Sequence, residues 1–375
     1  MNKRIRQLIG KFGKRMLLWL PINPHVIMLY AHDRKGLCCN PKYILCELVK
    51  HKDRKYQLYW VSDYPETVPR NKDYKVIKKR SFIYYYTFAR TKIFITNDML
   101  DELLIKKKGQ IIINTWHGGG AFKKAGYDLP EANEHKELFN KWYGRIDYMI
   151  VSSEYLYTTF MRAFQLEQSQ ILKTGMPRCD IFFKENTFYR EIRETYHLDS
   201  QVKILLYAPT YRYEKYELLN KVELGKVLDL LEEKSGENWI CLFRAHQFDR
   251  QNHIKSQNKR VIDCSDYIDV QELLCAADLL ISDYSSLLWE FSLLNRPVIS
   301  YAKCPKQYAK KERAFYIPYE EWPYPKAGNL EELLEEIARF DDKEYQKNIK
   351  DFNSFLGCYE DGKSAERVLT FLENI

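Results

Sequence analysis

Acidic residues are missing from the start of this 375-residue chain: none precedes Asp33, while Lys3, Arg4, Arg6, Lys11, Lys14 and Arg15 supply six of its eight formal net positive charges. The rest of the chain carries only +2, too little for a nucleic-acid groove, which needs basic residues clustered within the folded part; the excess forms a basic leader. A CxxC pair or His-rich cluster is also lacking. The nine cysteines are scattered and odd in number, with Cys38-Cys39 the one close pair. This gives a zinc framework little support and reads as reduced cytosolic thiols, with Cys46, Cys241 and Cys275 expected in the core. Internal repeats and low-complexity segments are absent. With 45% hydrophobic content over this length, two domains with separate cores are expected.

In the leader, Ile5, Leu8, Ile9, Phe12, Met16, Trp19 and Leu20 recur at helical spacing between the basic residues until Pro21. The pattern predicts an amphipathic helix lying in the plane of an anionic membrane surface. Its apolar run Met16 to Leu20 is too short for a signal peptide or a membrane span. A helix packed on its own protein is the competing reading.

From His25 onward, apolar strands alternate with helical segments. His25 to Ala31, Gln57 to Ser62, Tyr74 to Ile77, Lys92 to Thr96, Gln110 to Thr115 and Tyr148 to Ser152 read as strands, with helices such as Pro41 to Lys50 and Glu154 to Phe164 between them. The alternation falters from Phe182 to Ser200, taken as the interdomain region. It resumes with strands Lys203 to Ala208, Trp239 to Phe243, Leu279 to Ser282 and Pro297 to Tyr301, and helices Tyr216 to Lys234, Val270 to Ala276 and Leu287 to Asn295. Leu330 to Phe340 and Ala365 to Glu373 read as closing helices. The expected architecture is α/β: the leader helix (1–21), a Rossmann-like domain (22–185) and a second one (186–375), both with mostly parallel sheets.

The most informative stretch runs from Asn114 to Gly126, where Ile111-Ile112-Ile113 breaks into glycines and then a lysine pair. A buried strand, tight loop and helix start place His117 at the carboxyl end of a strand, the edge where open α/β sheets bind ligands. Gly118 and Gly119 allow close approach to the backbone, and Lys123 and Lys124 attract anions, so the loop suits a phosphate-bearing substrate.

Three further strand ends carry polar groups in the second half. Tyr207 to Arg212 ends in a guanidinium able to grip a phosphate in bidentate fashion. In Phe243-Arg244-Ala245-His246 both polar side chains can bind a pyrophosphate, though His246 can equally be structural. In Ser282-Asp283-Tyr284-Ser285-Ser286 either serine can cap the following helix and turn its free amides toward an anion. A surface arginine and a plain helix cap are the bland alternatives.

Taken in order, Asn40-Pro41-Lys42-Tyr43, Trp116-His117-Gly118 with Lys123-Lys124, Gly175-Met176-Pro177-Arg178-Cys179-Asp180, Tyr207 to Arg212, and Ser282 to Ser286 followed by Glu290 and Arg296-Pro297 resemble the CDP-glycerol glycerophosphotransferase family of teichoic-acid and capsule polymer enzymes. The resemblance implies a GT-B-like fold, two facing Rossmann-like domains with a central cleft, and peripheral attachment to the cytoplasmic face of the bacterial plasma membrane. The chain departs from the family pattern in its three-glycine loop, in Glu290 where aspartate is usual, and in the lysines Lys303 and Lys306.

The implied reaction is attack of an acceptor hydroxyl on the distal phosphorus of CDP-glycerol with release of CMP. His117 is then the candidate general base, Gly118, Gly119, Lys123 and Lys124 face a lipid-linked saccharide or polyol-phosphate acceptor, and Arg212, Arg244, His246, Asp283, Ser285 and Ser286 hold the donor, with Asp283 orienting the loop or a donor hydroxyl. No DxD motif is present, so neither metal nor cofactor is expected. Transfer of ribitol phosphate from CDP-ribitol, a glycosyltransferase using a nucleotide sugar, and a non-enzymatic assembly factor are the alternatives.

Overall fold

The computed structural model describes residues 17–32, 36–51, 56–185, 187–210, 219, 221–245 and 258–375. The leader up to residue 16, Arg212 and His246 lie outside them. Seven strands, β1 (Asn23–Tyr30), β2 (Gln57–Ser62), β3 (Tyr74–Lys78), β4 (Thr91–Thr96), β5 (Ile111–Asn114), β6 (Tyr148–Ile150) and β7 (Ile171–Leu172), form a first sheet in the order β3-β2-β1-β4-β5-β6-β7. Six more, β8 (Lys203–Tyr207), β9 (Trp239–Phe243), β10 (Val261–Asp263), β11 (Leu279–Ser282), β12 (Val298–Tyr301) and β13 (Lys326–Ala327), form a second in the order β10-β9-β8-β11-β12-β13. Neighbouring strands in both sheets pair in parallel.

Parallel sheets are covered on both faces, which is why their strands read as unbroken apolar runs. Ile27, Met28 and Leu29 on β1, Ile113 on β5, and Leu205 and Leu206 on β8 are fully buried. Strand order reverses between β1 and β4 in the first sheet and between β8 and β11 in the second. Those two switch points, where α/β sheets open a crevice at the strand ends, hold the polar constellations described below. One continuous apolar core runs through both lobes and includes Ile27, Phe122, Trp289 and Trp322.

The helices Cys39–Lys50, Glu154–Phe164, Val270–Ala276 and Leu330–Arg339 form where the apolar spacing predicts them. Others depart from expectation. The charged stretch taken as an interdomain connection contains the helix Phe188–Thr195, which packs on Val270–Ala276 and buries only Ile192 and Arg193. The helix Asp342–Leu356 buries Tyr345, Ile349, Phe352 and Leu356 along one stripe, diluted in the sequence by charged neighbours. The short strands β7, β10 and β13 were too brief to show a period. The last helix, Ser364–Glu373, returns to the first lobe and lies on Cys39–Lys50. Its start is held by Asp180, whose carboxylate accepts from the Ser364 and Ala365 amides at 2.9 and 2.8 Å. All nine cysteines are free thiols; Cys241 and Cys275 are buried as expected, whereas Cys46 is exposed because it falls on the outer face of its helix.

Candidate active site

His117 stands just past the end of β5, beside the switch point of the first sheet. Trp116 precedes it with φ +51°, a left-handed conformation that costs a non-glycine residue roughly 1–2 kcal/mol. Three carbonyls in succession hold the turn. Asn40 Nδ2 donates to the oxygens of Thr115 (2.9 Å) and Trp116 (3.1 Å), and Arg178 Nη2 donates to that of His117 (2.7 Å). Asn40 Oδ1 in turn accepts from the Arg178 amide at 3.1 Å. Asn40 and Arg178 are both buried, so each is spent on shaping this loop.

The imidazole stacks on Trp116 with ring centroids 4.7 Å apart, and its Nδ1 lies 3.3 Å from the Asn97 carbonyl oxygen. A carbonyl can only accept, so Nδ1 carries the proton and Nε2 keeps its lone pair. Crowding by the surrounding protein, reinforced by the positive charge of Arg178, lowers the imidazole pKa to about 4 against the opposing pull of the Asn97 bond. His117 is an exposed residue, so water softens the desolvation; the direction, toward a neutral imidazole at pH 7, is also given by the Arg178 charge. A neutral histidine with an available Nε2 is equipped to take a proton.

The glycines after His117 do different jobs. A Cβ on Gly118 would stand 3.5 Å from Ser286 Oγ of the second lobe, in ordinary contact. One on Gly119 would lie 2.1 Å from the Trp289 ring, and one on Gly120 2.7 Å from Phe122. Gly119 and Gly120 are buried, and the close approach they permit is of Trp289 to the loop. Beyond them the loop pairs with the second lobe: the Lys124 amide donates to Ala314 O (2.8 Å) and the Tyr316 amide to Phe122 O (2.7 Å). The Lys123 ammonium sits 5.3 Å from the Tyr308 ring centroid. Lys123 and Lys124 are both half-buried at this seam.

Across from His117, β11 delivers the Ser282 to Ser286 turn. Asp283, 1% exposed, orients the neighbouring strand end, accepting from the Thr210 amide and hydroxyl at 3.0 Å each. Ser285 Oγ accepts from the Leu287 amide at 3.2 Å, and Ser286, at the N-cap position of the helix Leu287–Ser292, makes no side-chain cap. One serine therefore caps and the other faces Gly118. Arg244 donates to the Tyr267 carbonyl at 2.5 Å, so part of its fork is used within the lobe.

Several groups at the site were given no role from the sequence, although Asn40 to Tyr43, Arg178 and Glu290 carry the family resemblance. Glu290, fully buried, accepts from Arg178 with one carboxylate oxygen and from Gln271 with the other. Lys42 donates to Asp269 at 2.6 Å and also to Glu272, while Tyr43 donates to the same Asp269 oxygen at 2.9 Å. The sequence Asn40 to Tyr43 is thus a set of braces, on the His117 loop from one side and on the second lobe from the other. At the first switch point Asn97 Oδ1 accepts from the His32 amide at 2.7 Å, and His32 Nδ1 meets Asp98 at 2.9 Å. The carboxylate of Asp98 stays below its usual pKa: burial alone would raise it, and His32, the Met99 amide and Lys79 together outweigh that.

Two parallel α/β lobes, with the His117 loop of one set against the Ser285-Ser286 turn of the other, form the frame of a transferase. The chain belongs to the family described as CDP-Glycerol:Poly(glycerophosphate) glycerophosphotransferase, which it matches over residues 13–374. It is 29% identical to the teichoic acid poly(glycerol phosphate) polymerase of Bacillus spizizenii, covering 95% of this chain and 93% of that one. It is 28% identical to the polymerase of the same name from Bacillus subtilis, covering 98% of this chain but 52% of that longer protein. The structure of the wall teichoic acid polymerase TagF superposes with a TM-score of 0.86 at 26% identity, over 99% of this chain and 95% of that one.

Proposed function

We propose that this protein transfers glycerol phosphate from CDP-glycerol to a hydroxyl of a membrane-linked acceptor, within a GT-B-like arrangement of two Rossmann-like lobes. The observation that carries the reading is the apposition of the His117 loop and the Ser285-Ser286 turn, within a family matched over nearly the whole chain. A variant of TagF was soaked with CDPG, in keeping with a CDP-glycerol donor here.

In this reading the acceptor binds beside Gly118, Lys123 and Lys124. Arg244 and the two serines face the donor pyrophosphate, joined by Arg212 and His246, which lie outside the described residues. The acceptor oxygen attacks the distal phosphorus in line, its proton passes to His117 Nε2, and the bond between that phosphorus and the bridging oxygen breaks. CMP leaves with the electron pair, and a phosphodiester to glycerol remains. Phosphoryl transfer depends chiefly on positioning and on stabilising charge, which matches a site built from braced loops and cations.

Attachment to the inner membrane surface is part of the proposal. Trp19 is 90% exposed, and Leu18, Leu20, Ile22 and Ile105 line a shallow surface depression with Lys106, Lys107 and Lys108. Apolar side chains ringed by lysines suit anionic headgroups. Among the described residues no helix is long and apolar enough to cross a membrane.

The test is nucleotide release in the presence of a lipid-linked, glycerol-phosphate-primed disaccharide. CMP from CDP-glycerol is the expected product. Turnover of CDP-ribitol alone would move the assignment to ribitol phosphate, and UDP or GDP from a nucleotide sugar would make the protein a glycosyltransferase. No turnover of any donor by folded protein would favour an assembly factor.

A further inference from the structure

Arg178 is almost fully enclosed, yet it touches both lobes. Its Nη2 donates to the His117 carbonyl at 2.7 Å and also to Glu290, its Nη1 approaches Cys39 Sγ at 3.2 Å, and its own amide is held by Asn40 at 3.1 Å. Glu290 lies on the helix Leu287–Ser292, the same short helix that opens at Ser285-Ser286 and carries Trp289 over Gly119. One guanidinium therefore ties the backbone of the candidate base to the element presenting the donor-side serines.

We propose that Arg178, seated on Glu290, is a positioning residue that holds His117 in register with the serines of the second lobe and keeps a fixed positive charge behind the imidazole. The inference rests on the reading of His117 as general base. A buried arginine is an expensive device for packing alone, since two desolvated charges seldom stabilise a fold more than apolar side chains of equal size. The fork geometry explains its use: one planar cation can meet a carbonyl and a carboxylate together, which an ammonium on a flexible stem does less well. Burial disfavours the guanidinium charge, and Glu290 together with the neighbouring Cys39 and Cys179 more than restores it, so the charge behind His117 persists across the working pH range.

The groups acting on the imidazole come from four directions: Arg178, Arg313 from the second lobe, His32 from the end of β1, and the Asn97 carbonyl from the end of β4. The cations and His32 disfavour a charged imidazole, while the carbonyl favours it. Arg178 is the strongest of the charged influences. Removing its charge must raise the proton affinity of His117, so the pH below which kcat/KM falls must move upward.

The experiment is the pH profile of kcat/KM for Arg178→Gln, Arg178→Lys and His117→Ala, each checked for wild-type circular dichroism. Arg178→Gln is expected to move the acid limb upward by roughly one pH unit or more. Arg178→Lys is expected to keep the limb in place while kcat falls roughly tenfold or more, because charge is retained and the fork is lost. A limb unmoved in Arg178→Gln would overturn the inference and leave a structural arginine. Should Arg178→Gln fail to fold, Arg178→Lys decides, and wild-type kcat or a shifted limb would contradict the proposal. Failure of the underlying reading is separately visible, because His117→Ala would then turn over at the wild-type rate.

Discussion

Ser286 of the second lobe faces Gly118 of the first, its hydroxyl oxygen 3.5 Å from the point where a Gly118 Cβ would stand. The residues beside them are His117 and the capping Ser285, so the candidate base and the turn proposed to face phosphate meet at one point, although 168 positions separate them in the chain. A substrate reaching this point contacts both lobes.

The glycines can be told apart experimentally. Alanine at Gly118 has room and is expected to leave the melting temperature near wild type. Alanine at Gly119 would press its Cβ to 2.1 Å from Trp289 and is expected to lower stability by roughly 1–3 kcal/mol through overpacking. Thermal unfolding of the two variants checks this; equal melting temperatures would show that Trp289 gives way without cost.

Asn40→Ala removes the donor that serves the Thr115 and Trp116 carbonyls together with the acceptor for the Arg178 amide. Leaving such buried groups unpaired is expected to cost roughly 1–3 kcal/mol. Denaturant unfolding measures it. CMP release should fall more than occupancy of the donor site, because the loop being loosened carries His117.

The doubly wound architecture was legible because both sheets are parallel and buried, so strands such as Gln57 to Ser62 and Trp239 to Phe243 appear as unbroken apolar runs with their true ends. The position of His117 was legible for the same reason, within the polar, glycine-rich loop that opens at Asn114 after Ile111-Ile112-Ile113. The bracing of that histidine was not. Asn40 meets Thr115 across 75 residues, Arg178 meets His117 across 61, and Arg178 meets Glu290 across 112, and no local period encodes such pairings. Gly119 looked like an opening for substrate because a missing side chain reads alike whether ligand or Trp289 fills the space. The helix Asp342–Leu356 escaped notice because its buried stripe is narrow and its other faces are charged.

Membrane attachment has its own test. Removing residues 1–20 takes away the basic leader and Trp19 and is expected to abolish flotation with vesicles containing anionic lipid. Binding of the intact chain should weaken steeply with salt, as charge screening requires. Undiminished flotation of the truncated protein would place the membrane contact elsewhere.

In the proposed arrangement protein cations face the donor phosphates, so transfer is expected to continue in excess EDTA. Loss of CMP release on chelation, restored by a divalent ion, would assign that charge to a metal instead.

The central claim is that His117 accepts the proton of the attacking hydroxyl. The most direct measurement is acceptor-dependent CMP release from CDP-glycerol by wild type and His117→Ala, at equal donor-site occupancy and across a range of pH. The account predicts a fall of roughly a hundredfold to ten-thousandfold in kcat for the variant, and a wild-type acid limb lying below the ordinary histidine range, since the imidazole pKa is lowered and neutral His117 is the active form. A variant that retains kcat, or a wild-type limb above pH 7, would contradict it.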